Sequence, residues 1–211
     1  TGIHTEPTSV VFDKPVIIEG LGMYTTIWQA AETPSLTDHL LLDTEVNTAP
    51  LTLRNMTLRN GGSGTNSSGG TIRLNSNSTL ENLYIHHNYF QKTGGSASGG
   101  AINASKPTTI NHCVITDNIV QSDVAANGAA IYASSSANLV ISNTTIANNQ
   151  ALGLDVASGD GSSSYASGGG IFEESTDTLY LYNATLTENS ADWDDDNSGD
   201  GGGLVAGGNI N

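Results

Sequence analysis

The chain has 211 residues, one domain's worth, of which 93 are Gly, Thr, Ser or Asn (25, 24, 23 and 21); apolar residues make 36% and charged residues 13%. Those four residue types are poor helix formers, which argues against a helical or ordinary α/β enzyme, while the apolar share is too high for a disordered linker. The net charge of −15 divides as −2 over residues 1–106 (8 acids, 6 bases) and −13 over residues 107–211 (13 acids, no Lys or Arg), so no basic footprint exists for nucleic acid or an anionic membrane surface.

In chain order, the first 50 residues read as an N-terminal cap and an irregular first coil. Val10-Val-Phe12 is expected to lie across the open end of the fold as a cap. Pro15–Gly22 and Thr25-Thr-Ile27 supply two strands, and His39–Leu42 a third.

Residues 51–211 are repetitive. An aliphatic-x-Asn-x-x-aliphatic motif starts at Leu53, Leu80, Ile141 and Leu181, and at Ile110 with His112 in the Asn place. These starts are 27, 30, 31 and 40 residues apart, and the last four copies carry a further Asn: Asn88, Asn118, Asn149 and Asn189. A Gly- or Ala-rich pair followed by an aliphatic (Ile72, Ile102, Ile131, Ile171) precedes each copy after the first, and Gly201–Leu204 opens one more. The alternation within each unit is that of short strands, with no helical stripe.

A unit of three short strands cannot bury its apolar row alone, whereas stacked units bury a continuous column. Asn side chains at the bends can hydrogen-bond up the stack, and glycines supply the turns. The expected fold is therefore all-β: a right-handed parallel β-helix of about six coils of three short strands. Its last coil stops one strand in, at Asn211, which reads as a piece of a longer protein or as an open end available for self-association.

Gly99-Gly100-Ala101-Ile102 resembles the GGAI motif of chlamydial polymorphic outer-membrane proteins, and Ile115-Thr-Asp-Asn118 resembles their Phe-x-x-Asn with an aliphatic in place of Phe. More broadly, residues 51–211 are similar to secreted bacterial right-handed β-helix repeat proteins. Val16–Gly22 with Thr25–Ile27 resembles first coils of the pectin-lyase-like superfamily. The resemblance implies the fold, a secreted or surface location, and an adhesive or structural role.

Variable segments follow the second Asn of each unit: Gly61–Ser68, Tyr89–Ser98, Ile119–Asn127, Gln150–Ser167 and Ser190–Asp200. They read as loops on one side of the stack, the usual place for binding a glycan or surface protein. Asp192, Asp194, Asp196 and Asp200 have the spacing that opens a calcium loop, although Asn197 stands where a Gly is usual and Gly203 where the bidentate Glu is. Asp155 and Asp160 could complete the shell, and Tyr165 and Trp193 offer aromatic faces to a sugar or partner. Tyr89 and Phe90 fit local packing better.

Catalytic patterns are weak. A lyase needs a cationic base, and no Lys or Arg follows Lys106. The polygalacturonase motifs are absent, although a carbohydrate-active enzyme or carbohydrate-binding module stays the alternative. Glu173, Glu174 and Asp177 read as a solvated turn. His86-His87, on a strand, should point one ring in and one out, and His112 should hydrogen-bond within the ladder. Cys113, the only cysteine, belongs in the core. Three Asn-x-Ser/Thr sequons (Asn55, Asn143, Asn183) fall on ladder positions expected to be buried. No run approaches membrane-spanning length, and no membrane insertion is expected of this segment.

Overall fold

Short runs of alternating aliphatic and polar residues, punctuated by Gly and Asn, make strands that must turn before they can lengthen. The computed structural model describes residues 2–31, 41–44, 49–63, 69, 71–154, 164–174, 178–191 and 199–211. Among the described residues there is no helix, hence none long and apolar enough to cross a membrane. The strands pair in parallel, each with its counterpart one coil on.

Four sheets result. The first stacks seven strands: Val10–Phe12, Leu42–Thr44, Ile72–Leu74, Ile102–Ala104, Ile131–Ala133, Ile171–Glu173 and Leu204–Ala206. The second has eleven and bends at a corner into two arms. One arm holds Val16–Glu19, the leading halves of Leu51–Arg59 and Ser78–His86, then Thr108–Asn111, Leu139–Ser142 and Tyr180–Tyr182. The other holds Gly2–Thr5, Thr26–Gln29, the trailing halves of those two long strands, then Val114–Thr116, Thr145–Ala147 and Thr185–Thr187. A third sheet stacks Gly62–Ser63, Tyr89–Lys92, Ile119–Ser122, Gln150–Gly153 and Ser190–Ala191. The fourth stacks Ala97–Ser98, Ala125–Asn127, Tyr165–Ser167 and Gly199–Asp200.

The core is a set of in-register aliphatic rows. Leu42, Ile72, Ile102, Ile131, Ile171 and Leu204 follow one another along the first sheet. Leu53, Leu80, Ile110, Ile141 and Leu181 line one arm of the second. Leu58, Ile85, Ile115, Ile146 and Leu186 line the other. Most are fully buried, and each of those stabilises the fold by about 1.5–3 kcal/mol through burial.

Three corners per coil set the cross-section. Asn55, Asn82, His112, Asn143 and Asn183, at φ of 49–59°, join the two arms. Asn60, His87, Asp117, Asn148 and Glu188, at φ of 53–57°, lead into the third sheet. Gly99, Gly128, Gly168 and Gly201, at φ of 60–78°, lead back to the first. Asn suits the left-handed region because its short amide bonds locally.

The residue after the second corner points inward and carries the ladder. Oδ1 of Asn118 accepts from the Asn88 N–H (3.2 Å) and Nδ2 (2.7 Å). Asn149 does the same for Asn118 (3.1 and 2.9 Å), and Asn189 for Asn149 (3.1 and 2.9 Å). Gly61 starts the row, giving its N–H to Asn88 Oδ1 at 2.9 Å.

Several expectations change. Val10–Phe12 is no cap: it pairs in register with Leu42–Thr44 as a wall strand, because Val10 and Phe12 extend the apolar row of that sheet. A coil has five strand segments instead of three, and five turns contribute to the third sheet against about six coils expected. The variable segments are loops only in part, since they begin and end in the third and fourth sheets. Phe90, Val120 and Ala151 face Ala97, Ala126 and Ala166 across a second buried column. The corner asparagines Asn143 and Asn183 are exposed and Asn55 half-buried, because a left-handed corner turns its side chain outward. His112 is exposed as well, and the bond from Asn143 Nδ2 goes to Asn111 Oδ1 (3.0 Å) instead.

Close backbone approach makes one glycine a sharp test. A Cβ on Gly100 would sit 2.4 Å from the Ala129 carbonyl oxygen and 2.8 Å from that of Ile119. Gly100→Ala is expected to cost about 2–3 kcal/mol in urea unfolding, as overpacking against rigid backbone does.

Candidate functional site

The outer face of the first sheet is where side chains of neighbouring coils meet in order. In each Gly-Gly-x-aliphatic unit, the residue after the inward aliphatic points outward. Register therefore aligns Asp43, Arg73, Asn103, Tyr132 and Phe172 at one position across successive coils. Strand spacing puts neighbours about 4.8 Å apart.

At the start of this row, Arg73 Nε bonds Asp43 Oδ1 at 3.0 Å and a second guanidinium nitrogen bonds Asp43 Oδ2. The hydrogen bond to Asp43 raises the Arg73 pKa, burial opposes it and the Asp43 charge adds to it. Asn75 Nδ2 also donates to Asp43 Oδ1 (3.1 Å). The fork is thus occupied internally, and little positive charge is left to attract an anionic polymer.

Next comes a groove of about 310 Å³ lined by Arg73, Asn75, Ser98, Asn103, Ser105, Tyr132 and Ser134. Asn103 forms its floor and donates Nδ2 to the Ser98 carbonyl at 3.1 Å, which ties the groove to the fourth sheet. The Tyr132 and Phe172 rings lie nearly parallel, 7° apart with centroids 5.9 Å apart. Burial pushes the Tyr132 phenol's pKa up, and its hydrogen bond to Glu174 and that carboxylate's charge push it further. The phenol is neutral at physiological pH and its ring is held. Amide, hydroxyl and aromatic groups together can hydrogen-bond and stack on a polyhydroxylated ligand.

Of the residues singled out from sequence, Tyr165 is 60% exposed and opens a strand of the fourth sheet opposite Ala125. Asp200 ends the last strand of that sheet, exposed, with its carbonyl accepting from the Gly168 N–H (2.9 Å). Asp155, Asp160, Asp192, Trp193, Asp194 and Asp196 lie outside the described residues. Tyr165 and Asp200 share a sheet, and neither lines the groove.

Other side chains refine the sequence reading. Cys113 is buried in the main column, its Sγ 3.3 Å from the Asn111 carbonyl, and burial lifts the thiol to about 12, so it is packing and no nucleophile. Phe90 is core, and Tyr89 gives its hydroxyl to Gln121. Glu173 does not belong to a solvated turn: it is 2% exposed on its strand, because register places it in the inward row of Ala104, Ala133 and Ala206. The His86 and His87 rings are both on the outside, with centroids 4.8 Å apart, because the corner at His87 undoes strand alternation.

Asn103, Tyr132 and Phe172 escape a reading that looks for function in long segments. The available signal is positional: each follows the aliphatic that closes the Gly-rich motif. A protein-family model described as a right handed beta helix region matches residues 40–210. Comparison with curated proteins finds no match, and comparison with solved structures finds none either.

Proposed function

Because this chain belongs to the right-handed β-helix family, we propose that it is a non-enzymatic scaffold, secreted or displayed at a cell surface, that holds an uncharged glycan along the outer face of its first sheet. The groove at Asn103, Tyr132 and Ser134, with Phe172 extending the aromatic face, carries this reading. The location rests on the resemblance of residues 51–211 to secreted and surface repeat proteins. An uncharged ligand follows from the charge: Arg73 is spent on Asp43, and −15 overall repels polyuronates.

Adhesion suits such a surface. A rigid column carries groups at fixed spacing, so ordering them costs little on binding.

An oligosaccharide array followed by titration calorimetry tests the reading, using Tyr132→Val. Valine already occupies the same outward row at Val11 and Val205, so the fold should tolerate it. We expect one uncharged glycan class to bind, and the variant to stay cooperatively folded at assay temperature while losing about tenfold in affinity, since one stacked ring contributes about 1 kcal/mol or more. Absence of binding to any glycan, or chain cleavage of a polysaccharide, overturns it.

A further inference from the structure

On the trailing arm of the second sheet, the aromatic side chains Tyr24, Tyr84, His86 and His87 touch in sequence, with centroids 5.6, 4.1 and 4.8 Å apart. The last contact brings the two Nδ1 atoms to 2.5 Å. Adjacent residues on a plain strand cannot do this, because their side chains face opposite sides. The left-handed corner at His87 (φ 53°) turns its ring onto the face that His86 already occupies.

Two Nδ1 atoms that close share one direction in space, and one must carry a hydrogen for the other to accept. A divalent transition ion can take that place. Two metal–nitrogen bonds of about 2.0–2.1 Å at a right angle span about 2.9 Å, so the rings need to open by less than half an ångström. The proton on the donating Nδ1 moves through solvent to Nε2 of the same ring, leaving both imidazoles neutral and both Nδ1 lone pairs on the metal.

A third ligand lies one coil further on. Thr116 pairs with His86, so Asp117 holds the corner position directly beyond His87, about 4.8 Å along the stack. Its carboxylate now accepts from Thr116 Oγ1 at 3.0 Å. Among the described residues no three such side chains already form a closed ligand set, so the carboxylate has to rotate to bind. Burial, the His87 ring and Arg59 lower the His86 pKa to about 4 against the opposing pull of Asp117. Arg59 Nε is itself engaged by Gln29 Oε1 at 2.9 Å.

We propose that His86 and His87 form a transition-metal clamp, completed by Asp117, which takes a divalent ion preferring nitrogen donors: Cu²⁺ most tightly, then Zn²⁺ or Ni²⁺. It is independent of the glycan groove, which lies on a different sheet.

Neighbouring coils supply variants that keep the fold. Asn60 and Asn148 occupy the His87 corner at φ of 57° and 55°, and Thr116 and Thr187 stand in register with His86. The experiment titrates the full chain with Cu²⁺ and separately with Zn²⁺, in excess Ca²⁺ to occupy sites made of oxygens, alongside His86→Thr, His87→Asn and Asp117→Asn. Wild type should bind one tight Cu²⁺ whose electron paramagnetic resonance spectrum shows two coupled nitrogens. Either histidine variant should lose at least about tenfold in affinity and one nitrogen coupling, and Asp117→Asn a few-fold, all with unchanged metal-free melting temperatures. If His86→Thr/His87→Asn binds Cu²⁺ as tightly as wild type, or the wild-type spectrum shows only oxygen donors, the proposal fails.

Discussion

Replacing Asn118 by Ala is expected to destabilise the protein by about 4 kcal/mol, because it orphans buried donors and acceptors that each cost about 1–3 kcal/mol. Asn118 is fully buried. Its Oδ1 serves two donors on Asn88, and its Nδ2 serves Asn149 Oδ1 (2.9 Å) and the Ile85 carbonyl (3.2 Å). Asn143→Gly makes the contrast: the same residue type at an exposed corner, where Gly adopts φ of 50° freely, should change stability by less than about 0.5 kcal/mol. Equilibrium urea unfolding of both variants measures the difference, and equal losses would mean that the inner row is no ladder.

The second large effect belongs to Phe90. It is the largest side chain of the smaller column, fully buried among Val120 and alanines that cannot swell to fill a gap. Phe90→Ala is therefore expected to cost about 3–5 kcal/mol, as large-to-small changes in unyielding cores do. Amide exchange should rise first in Tyr89–Lys92 and Ile119–Ser122, while Ile102–Ala104 stays protected. Val124→Ala, at a 45% exposed position in the same region, should stay within about 0.5 kcal/mol. Were Phe90→Ala equally mild, the third and fourth sheets would contribute nothing to stability.

The parallel stack was legible because its period is written in residues with one job each. Ile102 and Ile131, Leu80 and Ile110, Ile85 and Ile115 recur at coil spacing, and each pair is in register. The second column was harder to read, since apart from Phe90 and Val120 it is built of alanine, and alanine in a segment rich in Ser and Gly carries no strand signature. The outer row was hidden for a different reason. Asp43, Arg73, Asn103, Tyr132 and Phe172 share no chemistry, so only the register reveals them as a line. The His86–His87 contact depended on a backbone angle that adjacent letters do not announce.

The ladder also gives the column an electrical sense. Asn118, Asn149 and Asn189 each turn the side-chain oxygen toward the preceding coil, and Asn88, Asn118 and Asn149 each send an N–H toward the following one. The amide dipoles therefore add head to tail, each bond polarising the next. Their positive end lies at Asn189, within residues 107–211, which hold 13 carboxylates and no Lys or Arg. The interior thus offsets part of the repulsion that the surface of those coils generates, and the acidic half of the rod surrounds the end where its inward side-chain amides favour negative charge.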